Sequence, residues 1–293
     1  MWAMQQVYLL IATVAFAILA PIIGCLLAGI DRKLSARLQG RVGPSLLQPY
    51  YDMRKLLEKD DVSVNTTEGI YITCALIFAI IAGGIFFGGG NLLLSVFVIT
   101  LASLFFIMAA YSTRSPYAEV GASRETLQVM SYEPMVLLMT VAVYLASGSF
   151  MVRDLLAGDT SIFSQTFLVF IGLLFILTIK LRKSPFDISM SHHAHQEIVR
   201  GVTTEMSGPT LAKVEIMHWC ENVLFLGWVG MFFLSSNWWS ILIAVAVAIV
   251  AYLLEIFIDN NFARVKWQAM LKSAWLVALV LGGINIILQM FVF

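Results

Sequence analysis

Charge is what this sequence has least of. Asp, Glu, Lys and Arg make up 12% of its 293 residues, about half the share usual in soluble domains. That excludes an ordinary water-soluble domain. The formal net charge is zero, so no basic excess is available to hold nucleic acid. Cysteine is scarce and scattered: Cys25, Cys74 and Cys220 each stand alone in an apolar stretch. With no C-x-x-C, the chain by itself is expected to bind no iron–sulfur cluster and to build no disulfide framework. The first apolar run has no basic residues ahead of it and is too long for a signal peptide.

What fills the space is apolar. Hydrophobic residues account for 60% of the chain, and they cluster into runs of about 20, the length that crosses a bilayer as a helix. A membrane β-barrel would need short alternating segments instead. The runs predict eight helical spans, roughly 6–30, 69–88, 92–111, 133–150, 162–180, 214–234, 238–258 and 271–292. The expectation is a single polytopic domain over 1–293: an all-α integral membrane protein with about eight transmembrane helices and long cytoplasmic loops.

The connections alternate. The odd ones (31–68, 112–132, 181–213 and 259–270) are long and polar; the even ones are short. Seventeen of the eighteen Lys and Arg lie on the odd side, and only Arg153 lies opposite. By the positive-inside rule the odd loops face the cytoplasm and both termini face outward, which predicts a multi-pass protein of the cytoplasmic membrane.

Ionisable residues inside spans are costly and therefore point to function. Glu133 opens span four in "MSYEP", with Pro134 suited to a first helical turn. Glu215, His218 and Glu221 stand at the start of span six, and Glu255 and Asp259 share a face at the end of span seven. Glu119 and Glu125, in the preceding loop, extend an acidic line toward Glu133. Carboxyl groups joined by water make a proton path; ordinary interfacial pairing with Lys213, Arg264 or Arg124 is the plainer alternative.

Three of the four histidines fall in "SHHAHQEIV" at 191–199. His192 and His195 would share a helical face, as would His193 and Glu197, but two ligands per face fall short of a metal site. Glu215-x-x-His218 is likewise half of a bundle-type di-iron set, and the other half is missing. A polar surface that docks another protein accounts better for the histidines.

Three loops carry a resemblance. "RLQGRVGPSLLQPYYDMRKLLEKDD" at 37–61, "RSPYAEVGASRETLQVMSYEP" at 114–134 and "KSPFDISMSHHAHQEIVRGVTTEMSG" at 183–208 resemble the cytoplasmic loops of the quinone-pocket membrane subunit of respiratory complex I. The contracted "GPSLLQP" and the histidines in place of acids are similar to the homologous subunit of energy-converting, membrane-bound nickel–iron hydrogenases and their sulfur-reducing relatives. The resemblance implies a membrane anchor and coupling subunit that links electron transfer in a docked soluble arm to H+ or Na+ translocation. It implies no cofactor in this chain, with iron–sulfur clusters and a nickel–iron centre held by partner subunits. Those partners would be hydrogenase-like large and small subunits, a ferredoxin-like subunit and antiporter-like membrane subunits.

By the same resemblance Glu133, Asp187, Glu197 and Glu205 lie in or below the pocket. Arg41, Gln48, Asp52 and Lys55 line its mouth, and Glu119 and Glu125 stand where the acidic path enters the membrane. With Glu215, Glu221 and Glu255 these acids form the expected proton path. Arg41, Gln48, Asp52, Lys55, His192, His193 and His195 form the expected docking surface. The alternatives are a quinone-binding complex I subunit, a sulfur-reducing relative and, from a different class, a free-standing carrier or channel.

Overall fold

The computed structural model describes residues 2–62, 65–158, 160–186, 189 and 198–291, with side chains from residue 6 onward. In chain order the helices are α1 (Trp2–Leu38), α2 (Gln48–Leu57), α3 (Thr66–Phe87), α4 (Leu92–Ser112), α5 (Pro116–Ser147), α6 (Val152–Ala157), α7 (Phe167–Lys180), α8 (Gly208–Met231), α9 (Trp239–Asn261), α10 (Trp267–Val277) and α11 (Gly283–Phe291). A π-turn over Ala278–Gly282 joins the last two into one rod. Among the described residues there is no strand, only an isolated bridge between Asn91 and Met151.

Six helical segments are long and apolar enough to cross a membrane, and α7 is a shorter apolar helix. With the 24-residue α8, whose Lys213, Glu215 and Glu221 lower its apolarity, they occupy the eight expected positions. The protein is an all-α, multi-pass membrane protein.

The structure corrects several boundaries. The second odd connection is not a loop. From Pro116 it is the first half of the 32-residue α5, so Glu119 and Glu125 are helix residues and Pro134 lies in a helix interior. The buried positions Ala118, Gly121, Ala122, Glu125, Gln128, Val129 and Tyr132 recur at the three- and four-residue spacing of one helical face. Low apolarity hides this helix from a search for membrane spans, but not from periodicity. Span five begins with a short 3₁₀ turn (Ile162–Ser164), leaving 14 residues in α7. Span six starts earlier than expected, at Gly208, with Pro209 in its first turn.

Pro134 has no N–H to give the carbonyl of Met130 four residues earlier. Trp275 on α10 fills that position: its Nε1 donates to Met130 O at 3.2 Å. One imino acid in α5 thereby ties the last membrane rod to the middle of the bundle. Asn285 and Gln289 on α11 extend the tie, donating to Gln165 O and Ala142 O at 3.1 Å each.

Where helices approach most closely, glycine makes it possible. A Cβ on Gly84 would lie 2.1 Å from Thr13 Oγ1, and one on Gly83 would lie 2.1 Å from the Phe16 ring, so α1 seats directly on α3. The outward faces of α1 and α9 are rows of exposed Leu, Ile and Val, as expected of helices that meet lipid. Polar groups are gathered inside.

Candidate functional site

The polar groups meet where α4, α5, α7 and α8 converge. A small cavity there is lined by Ser103, Glu125, Gln128, Tyr132, Ile179, Lys180, Arg182, Glu221 and Phe225. The space inside is about 10 Å³, room for the centre of about one water molecule.

Arg182 organises it. Helix α7 ends in a six-to-one turn: Lys183 N donates to Thr178 O at 3.0 Å and Arg182 N to Ile179 O at 3.1 Å. This ending normally places a glycine in the left-handed conformation. Here the residue is Arg182, with φ +52°, at a cost of about 1–2 kcal/mol. The conformation turns its side chain back into the bundle. One nitrogen, Nη2, donates to Glu125 Oε1 at 2.8 Å, and the other, Nη1, meets the ring of His218. Glu125 is buried and Arg182 half-buried, at 5% and 17% side-chain exposure.

The second oxygen of Glu125 accepts from the Ser189 hydroxyl. His218 Nδ1 lies 3.1 Å from Glu221 Oε2. Arg182 Nη1 lies against both ring nitrogens of His218. A guanidinium only donates and a carboxylate only accepts, so with Nδ1–H turned to Glu221 it is Nε2 that accepts from Arg182. The order is therefore Ser189, Glu125, Arg182, His218 and Glu221, drawn from four separate segments. Phe106 meets the His218 ring edge-on at 5.5 Å and underlies Arg182 Cζ at 5.3 Å. Lys180 Nζ sits 3.5 Å from the Tyr132 ring centroid and 4.6 Å from that of Phe225.

A second cluster begins one residue later. Lys183 pairs with Asp31 on α1 and lies 3.6 Å from Asp259 on α9, whose other oxygen accepts from Ser184 N at 2.8 Å. Glu255, one turn before Asp259, is fully buried, and among the described residues neither oxygen has a hydrogen-bond partner. Consecutive residues, Arg182 and Lys183, thus serve two ionic clusters. Another buried acid, Glu68 in the first turn of α3, also has both oxygens without a partner among the described residues; Asp61 and Glu205 act on it electrostatically.

Of the residues singled out in the sequence, Glu125 and Glu221 line the cavity, and His218 joins them. Glu133 is half-buried on α5, next to the cavity residue Tyr132. Glu215, on the same helix as His218, is not among the cavity residues. Glu119 is exposed in the first turn of α5, and Glu205 is half-buried before α8. Asp259 takes Lys183 as a partner. Asp187, His192, His193, His195 and Glu197 lie outside the described residues.

The first connection holds the short helix α2. Gln48 donates to Asp52 Oδ1 at 2.8 Å, Arg32 pairs with Asp52 Oδ2 at 2.6 Å, Arg41 bonds to Gln39, and Lys55 is exposed. Partial burial works to raise the Asp52 pKa, but the Arg32 and Gln48 hydrogen bonds outweigh it and hold the carboxyl below the usual aspartate range.

Sequence reasoning missed Lys180, Arg182, Gln128, Tyr132 and Glu68. The cations stood at the end of an apolar run, where flanking charges are ordinary. The one available signal was their number, with Lys180, Arg182 and Lys183 packed into four positions.

Known proteins share this architecture. Residues 10–290 match the NADH dehydrogenase family. Hydrogenase-4 component C of Escherichia coli is 29% identical, with 92% of each chain covered. Formate hydrogenlyase subunit 4 of the same organism is 27% identical, with 93% of this chain and 95% of that one covered. An NADH-quinone oxidoreductase subunit of Thermomicrobium roseum is 28% identical over 93% of each. Among solved structures, a chain of the membrane-bound sulfane sulfur reductase, an archaeal respiratory membrane complex, superposes with a TM-score of 0.85. It covers 96% of this chain and 99% of that one at 24% identity, which shows a shared fold. The chain belongs to the NADH dehydrogenase family, among its membrane subunits of complex I-like and hydrogenase-type complexes.

Proposed function

We propose that this chain is the membrane anchor and coupling subunit of an energy-converting hydrogenase-type complex. It links electron transfer in a docked soluble arm to H+ or Na+ translocation by antiporter-like neighbours. The odd connections would face the cytoplasm and the arm, with both termini outside. Iron–sulfur clusters and a nickel–iron centre would belong to the large and small subunits and to a ferredoxin-like subunit of the arm. One observation carries the reading: two carboxyl groups, two cations and a histidine are brought together around a water-sized cavity inside a largely apolar bundle.

A membrane protein gains no stability from such a set that apolar side chains would not provide at lower cost. Its use is that its proton occupancy can change. A redox step above the cavity that favours one occupancy over the other biases the neighbouring subunits. Moving one charge against 100 mV needs about 2.3 kcal/mol, which sets the least the coupling must supply per charge.

The test is Glu221→Gln. The amide oxygen still accepts from His218 Nδ1 but carries no exchangeable proton. The complex is expected to assemble and to pass electrons to artificial acceptors, while ion uptake per electron in sealed vesicles falls at least about fivefold. That is the lower end of what a coupling of about 1–3 kcal/mol produces. Unchanged uptake would remove Glu221 from the path.

A sulfur-reducing complex is the second reading, favoured by the overall likeness to the sulfane sulfur reductase chain. Metal analysis of the complex that copurifies in mild detergent separates the two. Nickel with iron is expected for the hydrogenase arm; iron without nickel points to the sulfur-reducing relative.

A further inference from the structure

Four charged side chains line the cavity, and three of them are held by hydrogen bonds: Glu125 by Arg182 and Ser189, Arg182 by its partners, and Glu221 by His218. Lys180 is different. Among the described residues its ammonium has no hydrogen bond, only the faces of Tyr132 and Phe225. Ring faces stabilise a cation without accepting its protons along a fixed axis, so the three N–H donors stay available to water in the cavity. An acceptor stands ready: Gln128 donates through Nε2 to Phe186 O, but its buried Oε1 has no partner among the described residues.

We propose that Lys180 is a proton-exchanging residue of this cavity, passing a proton to and from Glu221 through water bridging to Gln128. The inference rests on the coupling role proposed above and names a residue for it. In the step an N–H bond of Lys180 breaks and an O–H bond forms on the Glu221 carboxylate; no electrons are transferred. Ammonium and carboxylate become amine and carboxylic acid, so the pair is neutral overall before and after.

Arg182 cannot take this part, because a guanidinium keeps its proton under all working conditions. It is the fixed counter-charge. The groups that face or act on Lys180 come from every packed element. They are Ser103 on α4; Glu125, Gln128, Tyr132 and, at longer range, Glu133 on α5; Arg182 in the turn; and Glu221 on α8. Two cations thus balance Glu125 and Glu221 inside the cavity, and Glu133 beyond it adds further negative charge.

The experiment compares Lys180→Arg and Lys180→Met with the unaltered chain in the complete complex, reconstituted in sealed vesicles. Electron transfer and ions moved per electron are recorded over a range of pH. Both variants are expected to keep electron transfer to artificial acceptors. Both should lose at least about fivefold in ions per electron, and Lys180→Arg should also flatten the pH dependence, because it keeps the charge but cannot exchange the proton.

If Lys180→Arg pumps as the unaltered complex does, Lys180 is only a structural cation and the proposal is overturned. Failure of Lys180→Met to assemble while Lys180→Arg assembles and pumps overturns it in the same way. If the unaltered complex moves no ions, the coupling role itself fails and this proposal falls with it. That result is separable from the others because it does not depend on the variants.

Discussion

Replacing Arg182 by methionine is expected to destabilise the subunit by about 3–5 kcal/mol, the cost of leaving one member of a buried ion pair uncompensated. Glu125 is buried and has two partners among the described residues; losing Arg182 leaves it, among these, the Ser189 hydroxyl alone. The readout can use the chain's own chemistry. Cys25 and Cys220 are buried free thiols, so a thiol-reactive dye reports their exposure on heating. Because unfolding of such proteins is often irreversible, midpoints are compared at one fixed heating rate.

Two further variants separate the reasons. Arg182→Gly removes the left-handed backbone penalty and recovers about 1–2 kcal/mol, yet remains less stable than the unaltered chain. If the residue served only to end α7, glycine would instead be the more stable choice. The double variant Arg182→Met with Glu125→Gln recovers part of the loss, because the unpaired charge is gone and the two sites are coupled. An unchanged midpoint for Arg182→Met would show that Glu125 is not held in this way.

The second large effect is expected at Gly121, one helical turn before Glu125. A Cβ there would lie 2.4 Å from both Gly201 C and Val202 N. These are backbone atoms, which cannot rotate aside. Gly121→Ala therefore forces α5 away from the Gly201–Thr203 turn, at a cost of about 1–3 kcal/mol or more. Because that turn also meets the Ser189 carbonyl, the displacement is expected to separate Ser189 from Glu125 and to lower ion movement together with thermal stability. Gly283→Ala is the control: a Cβ at Gly283 meets nothing within 4 Å, so it should be neutral or slightly stabilising within its helix. Equal behaviour of the two variants would mean that close approach at Gly121 is not what positions the site.

The sequence by itself determined the membrane class, the approximate positions of the eight apolar segments and several of the acids that meet at the cavity. Hydrophobicity acts locally and adds along a segment, so a run such as 92–111 declares a span whatever its neighbours are. Glu125, His218 and Glu221 were legible for the same reason: an ionisable group within or beside an apolar helix stands out residue by residue. The first half of α5 was missed only because apolarity was used where the three- and four-residue spacing of its buried positions was the better guide.

Tertiary structure alone decided which charges meet. Glu125, Arg182, His218 and Glu221 come from three stretches of chain, and nothing in their spacing says that α5, α7 and α8 converge. Glu215 and Glu221 lie on one helix, yet only Glu221 lines the cavity, because the neighbouring helices decide which parts of a helix's surface are enclosed. The same holds for Lys180, which reads as an ordinary flanking charge until Tyr132 and Phe225 are placed around it. The direction of Arg182 depends on a single left-handed residue at the end of α7. Segment hydrophobicity is a sum over neighbours in sequence, whereas an ion pair is a distance between groups that folding brings together, and only the folded chain contains that distance.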